Sequence, residues 1–201
     1  MMIRILALAA ALAIPTHAGA QSAVGKALVG GKVVTLFDDG TWKYADAAPA
    51  VPGSACDQVT PEVQFCAADL GWTTSPPGSA EINAAYRIDA RHYAQFLIEG
   101  LGTDDGLSAE FMRQIVLQNA KAATGNEAEV IDVQTATLGG ITGDTVVYKV
   151  KIDGVNVVFA NSIFLKPKQA MQIMTYAIAS DYSADHAGFQ ADLLANTKLA
   201  E

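Results

Sequence analysis

Between Ala128 and Ala179 apolar and polar positions alternate with a period near two, interrupted by turn residues. The runs Thr145–Ile152 and Val155–Ala160 flank Asp153–Gly154. Asp-Gly between β-branched runs marks a two-residue hairpin, because both turn positions take positive φ. That loop sets Val150 opposite Val157 and Tyr148 opposite Phe159. Pro167–Lys168 suits a second tight turn, with proline presetting φ. It sets Phe159 beside Tyr176 and Val157 beside Ile178. The predicted result is a core aromatic row, Tyr148, Phe159 and Tyr176, crossing three strands on one face. Val158, Phe164, Met171, Ile173 and Ala177 fall on the other face, so both faces need cover from helices or from a partner. An earlier strand, Ala128–Leu138, would be turned back by Gly139–Gly140 or by Thr142–Gly143–Asp144.

Upstream, Val63, Phe65 and Ala67 alternate as a first strand, Gly71–Trp72 follows, and 75–79 is a loop. A second strand is expected at Asn83–Ile88. Asp89 could cap a helix over Ala90–Glu99, since Tyr93, Phe96, Leu97 and Leu101 share a helical face before Gly100 and Gly102. A further helix starts at Ser108 as N-cap, with Leu107 and Met112 as a hydrophobic staple and Gly125 at its end. Its expected buried face is Phe111, Met112, Ile115, Asn119 and Ala122. A last helix is expected over Ala184–Lys198, capped by Ser183 or Asp181, with His186, Phe189 and Leu193 inward and Leu194 on the flank.

The amino-terminal region reads differently. Arg4, the apolar run Ile5–Ile14 and the small residues Ala18–Gly19–Ala20 form an expected secretory leader, 1–20, cleaved between Ala20 and Gln21. The apolar run is too short to span a bilayer, and no cysteine stands at the cleavage point. The expected location is therefore the periplasm of a Gram-negative cell, or the medium. Residues 27–44 alternate around Asp39–Gly40 as a short β-hairpin, with Trp42 closing on Val34 or Leu36. Residues 45–55 form a Pro/Ala-rich linker, and the main domain runs over 56–201.

The formal charge is −8, which repels phosphate and sets nucleic acid and anionic membranes aside as partners. Two cysteines, Cys56 and Cys66, lie in the exported part, which favours one structural disulfide. Closing so short a loop contributes about 3 kcal/mol.

Two resemblances follow from these residues. Gly31 through Tyr44, with Asp38–Asp39–Gly40–Thr41–Trp42, resembles a segment that recurs near the start of exported bacterial proteins of unassigned function. The order from Phe65 and Gly71–Trp72, through Tyr93–Leu97, to Tyr148–Ile178 and His186–Leu194 resembles the PsbP/Mog1-like fold family. The extra helix at 108–123 departs from that pattern. The resemblance implies an α+β fold, an antiparallel sheet flanked by helices as an α/β/α sandwich. It also implies a family dominated by non-catalytic assembly factors, adaptors and envelope proteins.

Candidate chemistry is sparse. His92 and His186 could act as bases or metal ligands, with Asp181 or Asp185 completing a site. Both are read as surface or boundary residues. Thr103–Gly106 lacks the later ligands of a calcium loop, and Gly139–Gly143 lacks the lysine and helix of a phosphate loop. Ser162 and Ser180 have no nucleophile-elbow context. No catalytic residue, metal or cofactor is assigned. The leading expectation is a non-catalytic envelope accessory module binding another protein or peptide through the sheet face or its edge. The alternatives are a carrier of a small apolar ligand and a histidine-dependent metal protein or enzyme.

Overall fold

The structure is a computed structural model that describes residues 22–29, 32–44, 56–183 and 185–200. The leader with its Ala20–Gln21 junction and the 45–55 linker lie outside the described residues. Near the amino terminus, β1 (Ala23–Val29), β2 (Lys32–Phe37) and β3 (Trp42–Tyr44) form an antiparallel meander. The expected hairpin is thus three-stranded, because the chain before residue 30 pairs along β2 as well. Trp42 stands opposite Leu36 and is 48% exposed.

The main body begins with β4 (Asp57–Thr60), β5 (Val63–Phe65), β6 (Thr73–Ser75), β7 (Ile82–Arg87) and β8 (His92–Glu99). It continues with α1 (Ala109–Thr124), β9 (Glu129–Leu138), β10 (Ile141–Ile152), β11 (Val155–Lys166) and β12 (Gln169–Ile178). It closes with α2 (Asp185–Ala195) and β13 (Thr197–Leu199). Seven strands make one antiparallel sheet in the order β6-β7-β8-β12-β11-β10-β9, and β13-β5-β4 make a smaller one. Helices lie on both faces, and the fold class is α+β.

The central register follows the turn chemistry. Asp153 and Gly154 both have positive φ, 48° and 87°, and Val150 pairs Val157 while Tyr148 pairs Phe159. Phe159 pairs Tyr176 and Val157 pairs Ile178. Gly139 and Gly140 make the β9–β10 turn, whereas Gly143 sits inside β10. A Cβ at Gly143 would lie 2.1 Å from the Ile163 carbonyl oxygen, so only glycine lets β10 approach β11 there.

Three expectations are corrected. Residues 92–99 are a strand and not a helix: His92, Ala94, Phe96 and Ile98 point one way, and Tyr93, Gln95, Leu97 and Glu99 the other. Tyr93 and Leu97 on one side and Phe96 and Ile98 on the other are apolar, and their combined spacing imitates a helical stripe. Asp89 caps the β7–β8 turn, its Oδ1 accepting from the Arg91 and His92 backbone N–H groups at 2.7 and 3.0 Å. α1 is rotated from its expected face. Met112 and Val116 are buried, Phe111 is 48% exposed, and Asn119 and Ala122 are exposed. The last helix stops at Ala195, and Thr197–Leu199 pairs with β5 instead of extending it.

α1 is capped as its sequence dictates. The Ser108 side chain accepts from the Phe111 N–H at 3.2 Å, and Gly125 takes a left-handed conformation at the other end. Ser108→Ala should therefore cost about 1 kcal/mol of stability in a urea titration, with an unchanged slope. Cys56 and Cys66 are bonded, S–S 2.03 Å, tying the start of β4 to the end of β5. No helix of the described residues is long and apolar enough to cross a membrane.

Candidate functional site

The two faces of the large sheet are covered differently. On one face Phe96, Phe164, Met171 and Ile173 meet Leu193 of α2 and Val63 and Phe65 of the small sheet, all fully buried. Phe65 packs on Tyr86, Phe96 and Trp72 with ring centroids 4.8–5.5 Å apart, which seals this side. On the other face α1 packs on β10 and β11, where Met112 and Val116 meet Val146, Tyr148, Val150 and Ile163. β12, β8 and β7 continue beyond it.

The aromatic row runs from beneath α1 into that uncovered part. Tyr148, Phe159 and Tyr176 stack at 5.2 Å per step, with interplanar angles of 11° and 27°. Tyr93 adds a fourth ring at 5.4 Å and 20°, and the Arg87 guanidinium lies 5.9 Å from its centroid. Rings stacked this way hide their faces in one another. Tyr148 is buried, whereas Phe159, Tyr176 and Tyr93 are half-buried. Burial pushes the Tyr148 hydroxyl well above the usual phenol range, and burial, then the neighbouring Tyr93, raises that of Tyr176. Both therefore remain protonated donors at neutral pH. Tyr93 could have been read from the sequence, since Tyr93, Gln95 and Leu97 alternate against Ala94 and Phe96.

Where α1 stands off the sheet, a cleft of about 460 Å³ opens. Ala120 and Ala123 line its helix side, Tyr148, Phe159 and Met174 its floor, and Leu97 its far wall. Four carboxamides, Gln95, Asn119, Asn161 and Gln172, interrupt this apolar lining. Asn161 donates through Nδ2 to Gln172 Oε1 at 2.9 Å, and its Oδ1 is buried without a partner. Small residues on this side of α1 and its rotation toward β10 leave the space open.

The β9 edge of the sheet is guarded. Its outermost strand exposes Val130, Ile131 and Val133, 45–50% each. Asp132 accepts from the Val133 N–H at 2.8 Å and from Gln134 Nε2 at 2.6 Å, and the register shifts beside it. An occupied edge donor and a bulge both oppose strand addition. The open face is thus the better surface.

The candidate histidines do converge, on the sealed face. Their ring centroids are 5.7 Å apart. His186 is fully buried, not a boundary residue, and His92 lies on a strand. His92 Nδ1 meets Asp89 Oδ2 at 2.8 Å and its Nε2 meets the Asp181 carbonyl at 3.2 Å. His186 Nε2 meets Thr175 Oγ1 at 2.9 Å, and its Nδ1 is buried without a partner. Burial, with an opposing hydrogen bond from Thr175 and a smaller repulsion from His92, lowers the His186 pKa to about 4. Among the described residues no group of three His, Cys, Asp or Glu is placed to hold a metal ion. Asp185 begins α2, and Thr103–Asp105 form a short 3-10 turn in which Asp105 caps the Gly102 N–H.

The layered antiparallel sheet with its two helices defines the PsbP/Mog1-like fold, and comparison with solved structures agrees. The chain is similar to the cyanobacterial PsbP protein CyanoP from Synechocystis sp. PCC 6803, with a TM-score of 0.51 at 13% identity, covering 75% of this chain and 100% of that one. It is also similar to LpqN of Mycobacterium tuberculosis, described as involved in cell envelope biogenesis, with a TM-score of 0.50 at 14% identity, covering 71% of this chain and 87% of that one. No protein-family profile matches the chain, and no curated protein does. Likeness at this level of identity establishes the fold alone.

Proposed function

We propose that this chain is an exported, non-catalytic accessory module that holds a segment of another envelope polypeptide on the open face of its large sheet. The observation that carries the reading is the unequal cover of the two faces. One is sealed by α2 and the small sheet, while the other leaves a cleft and a half-buried tyrosine ridge beside α1. Polypeptide suits this surface better than carbohydrate, because sugar rings stack on exposed aromatic faces and these faces are already covered. Aromatic residues with polar tips are also what protein interfaces enrich.

Export is supported by the leader pattern of residues 1–20 and by the Cys56–Cys66 bond, which suits an oxidising compartment. LpqN, of similar fold, is an envelope-related protein, which is compatible with the same setting. In this reading 27–44 is a separate small β unit, 45–55 a tether, and 56–201 the binding domain.

A photocrosslinking residue at Tyr176, introduced in the native cell, tests the proposal. The expected product is a discrete polypeptide adduct that is absent when the crosslinker stands at exposed Lys168 in the β11–β12 turn. Crosslinks only to lipid or glycan, or equal yields at both positions, would overturn it.

A further inference from the structure

Resting on the reading above, we infer that the segment held on the open face is an amphipathic α-helix with a basic flank, lying alongside α1 over β12 and β8. A polypeptide laid on the face of a sheet meets side chains, because the backbone N–H and C=O groups of the strands beneath already bond one another. An extended segment there would leave its own backbone groups unpaired against apolar rings, whereas a helix satisfies them internally. Strand addition is the route for an extended partner, and the β9 edge opposes it.

The seat has the width of one helix. α1 packs on β10 and β11, and the next two strands in the sheet are β12 and β8. Two strands span about 10 Å, which matches the roughly 8–10 Å between the axes of packed helices. The apolar face of α1 is also wider than the sheet uses. Met112 and Val116 are buried, while Phe111, Ile115 and Ala122 continue that face, with Phe111 48% exposed. Their helical spacing places them on the flank of Asn119, which lines the cleft together with Ala122. Charge on the far wall calls for the basic flank. Glu81 is exposed there, as is Glu99 on the same side of β8 as Leu97. No basic side chain lines the cleft, and the chain as a whole carries −8.

In the test the full chain is titrated with three designed peptides: a lysine-flanked amphipathic helix, its glutamate-flanked counterpart, and the lysine peptide rearranged to a period of two. The lysine-flanked helix is expected to bind at least about tenfold more tightly than either of the others, gaining helical circular dichroism as it does so. Ala122→Arg, at an exposed position on the cleft flank of α1, should lower that affinity at least about tenfold while the melting temperature is kept. Glu81→Lys combined with Glu99→Lys should turn the preference toward the glutamate-flanked helix. No binding of the lysine-flanked helix, equal affinity for the period-two peptide, or indifference to either variant would overturn the inference. Self-association of the chain that Ala122→Arg abolishes would overturn it too, by making a second copy the occupant. A polypeptide adduct at Tyr176 without any preference for a helix would sink this inference alone. Helix binding without any polypeptide adduct in the cell would sink the broader reading.

Discussion

Gln190→Leu is expected to lower the unfolding free energy by about 4 kcal/mol, read as a shifted midpoint at constant slope in chemical denaturation. Gln190 is buried on α2 and makes four hydrogen bonds to the sealed face of the sheet. Its Oε1 accepts from the Thr175 N–H at 2.9 Å and the Thr175 hydroxyl at 2.8 Å. Its Nε2 donates to Ser162 Oγ at 2.8 Å and to the Ile173 carbonyl at 2.9 Å. Ser162 is in turn bonded to Thr145 at 2.6 Å, so β10, β11 and β12 are linked through one side chain. Leucine has nearly the same volume and leaves no hole. The loss is that of several buried partners, each worth about 1–3 kcal/mol when stranded. A change below about 1 kcal/mol would mean that water replaces the amide.

The same network fixes a proton position and, through it, a pH dependence. The Ile173 carbonyl can only accept, so Gln190 presents nitrogen to it and oxygen to Thr175. The Thr175 hydroxyl must then donate to Gln190 and accept from His186 Nε2–H. His186 is left with a bare, buried Nδ1. Protonating it would place a cation beside His92 on β8, with Tyr182 against the ring. Two acids that contact His92 are engaged: Asp89 with His92 itself, and Asp181 through Oδ1 with Arg91 at 3.1 Å.

The folded pKa of about 4 lies below the unfolded value of 6.5, so the unfolded chain binds this proton more readily. Stability from neutral His186 is complete above about pH 6.5 and is lost as pH falls toward 4. The full span is about 3 kcal/mol, of which roughly 2 kcal/mol is gone by pH 5. Urea titrations at pH 7 and pH 5 would show it, and His186→Phe should flatten the dependence. An unchanged pH profile in that variant would assign the effect elsewhere. Asp89 acts in the same direction but lower: despite burial, hydrogen bonds from Arg91 and His92 pull its pKa below the usual value, so its share is lost only in stronger acid.

Much of the sheet was legible because turns announce themselves locally. Asp153–Gly154 and Pro167–Lys168 each fix a register, and the pairing of Tyr148, Phe159 and Tyr176 follows by counting. β8 was misread because large apolar side chains stand on both of its faces, and the spacing of Tyr93, Phe96 and Leu97 satisfies either period. The small sheet was missed because β4 and β13 are four and three residues long, and nothing local points from Thr197 to Phe65. Burial of Gln190 was hidden for the opposite reason. Polar residues on a helix read as solvent-facing until a matching row of polar groups, Thr145, Ser162 and Thr175, is found beneath them. The cleft depends on the rotation of α1, which the stripe Phe111–Ala122 places wrongly.

The pairing of β8 with β12 brings Tyr93 beside Tyr176 across about 80 residues of intervening chain. The hairpins β9 to β12 close over short loops, but the far wall of the cleft arrives from the other end of the domain. No fragment carrying only one half would present the complete cleft. A segment held there, as proposed, would clasp two distant stretches of polypeptide and raise resistance to unfolding with the logarithm of its free concentration.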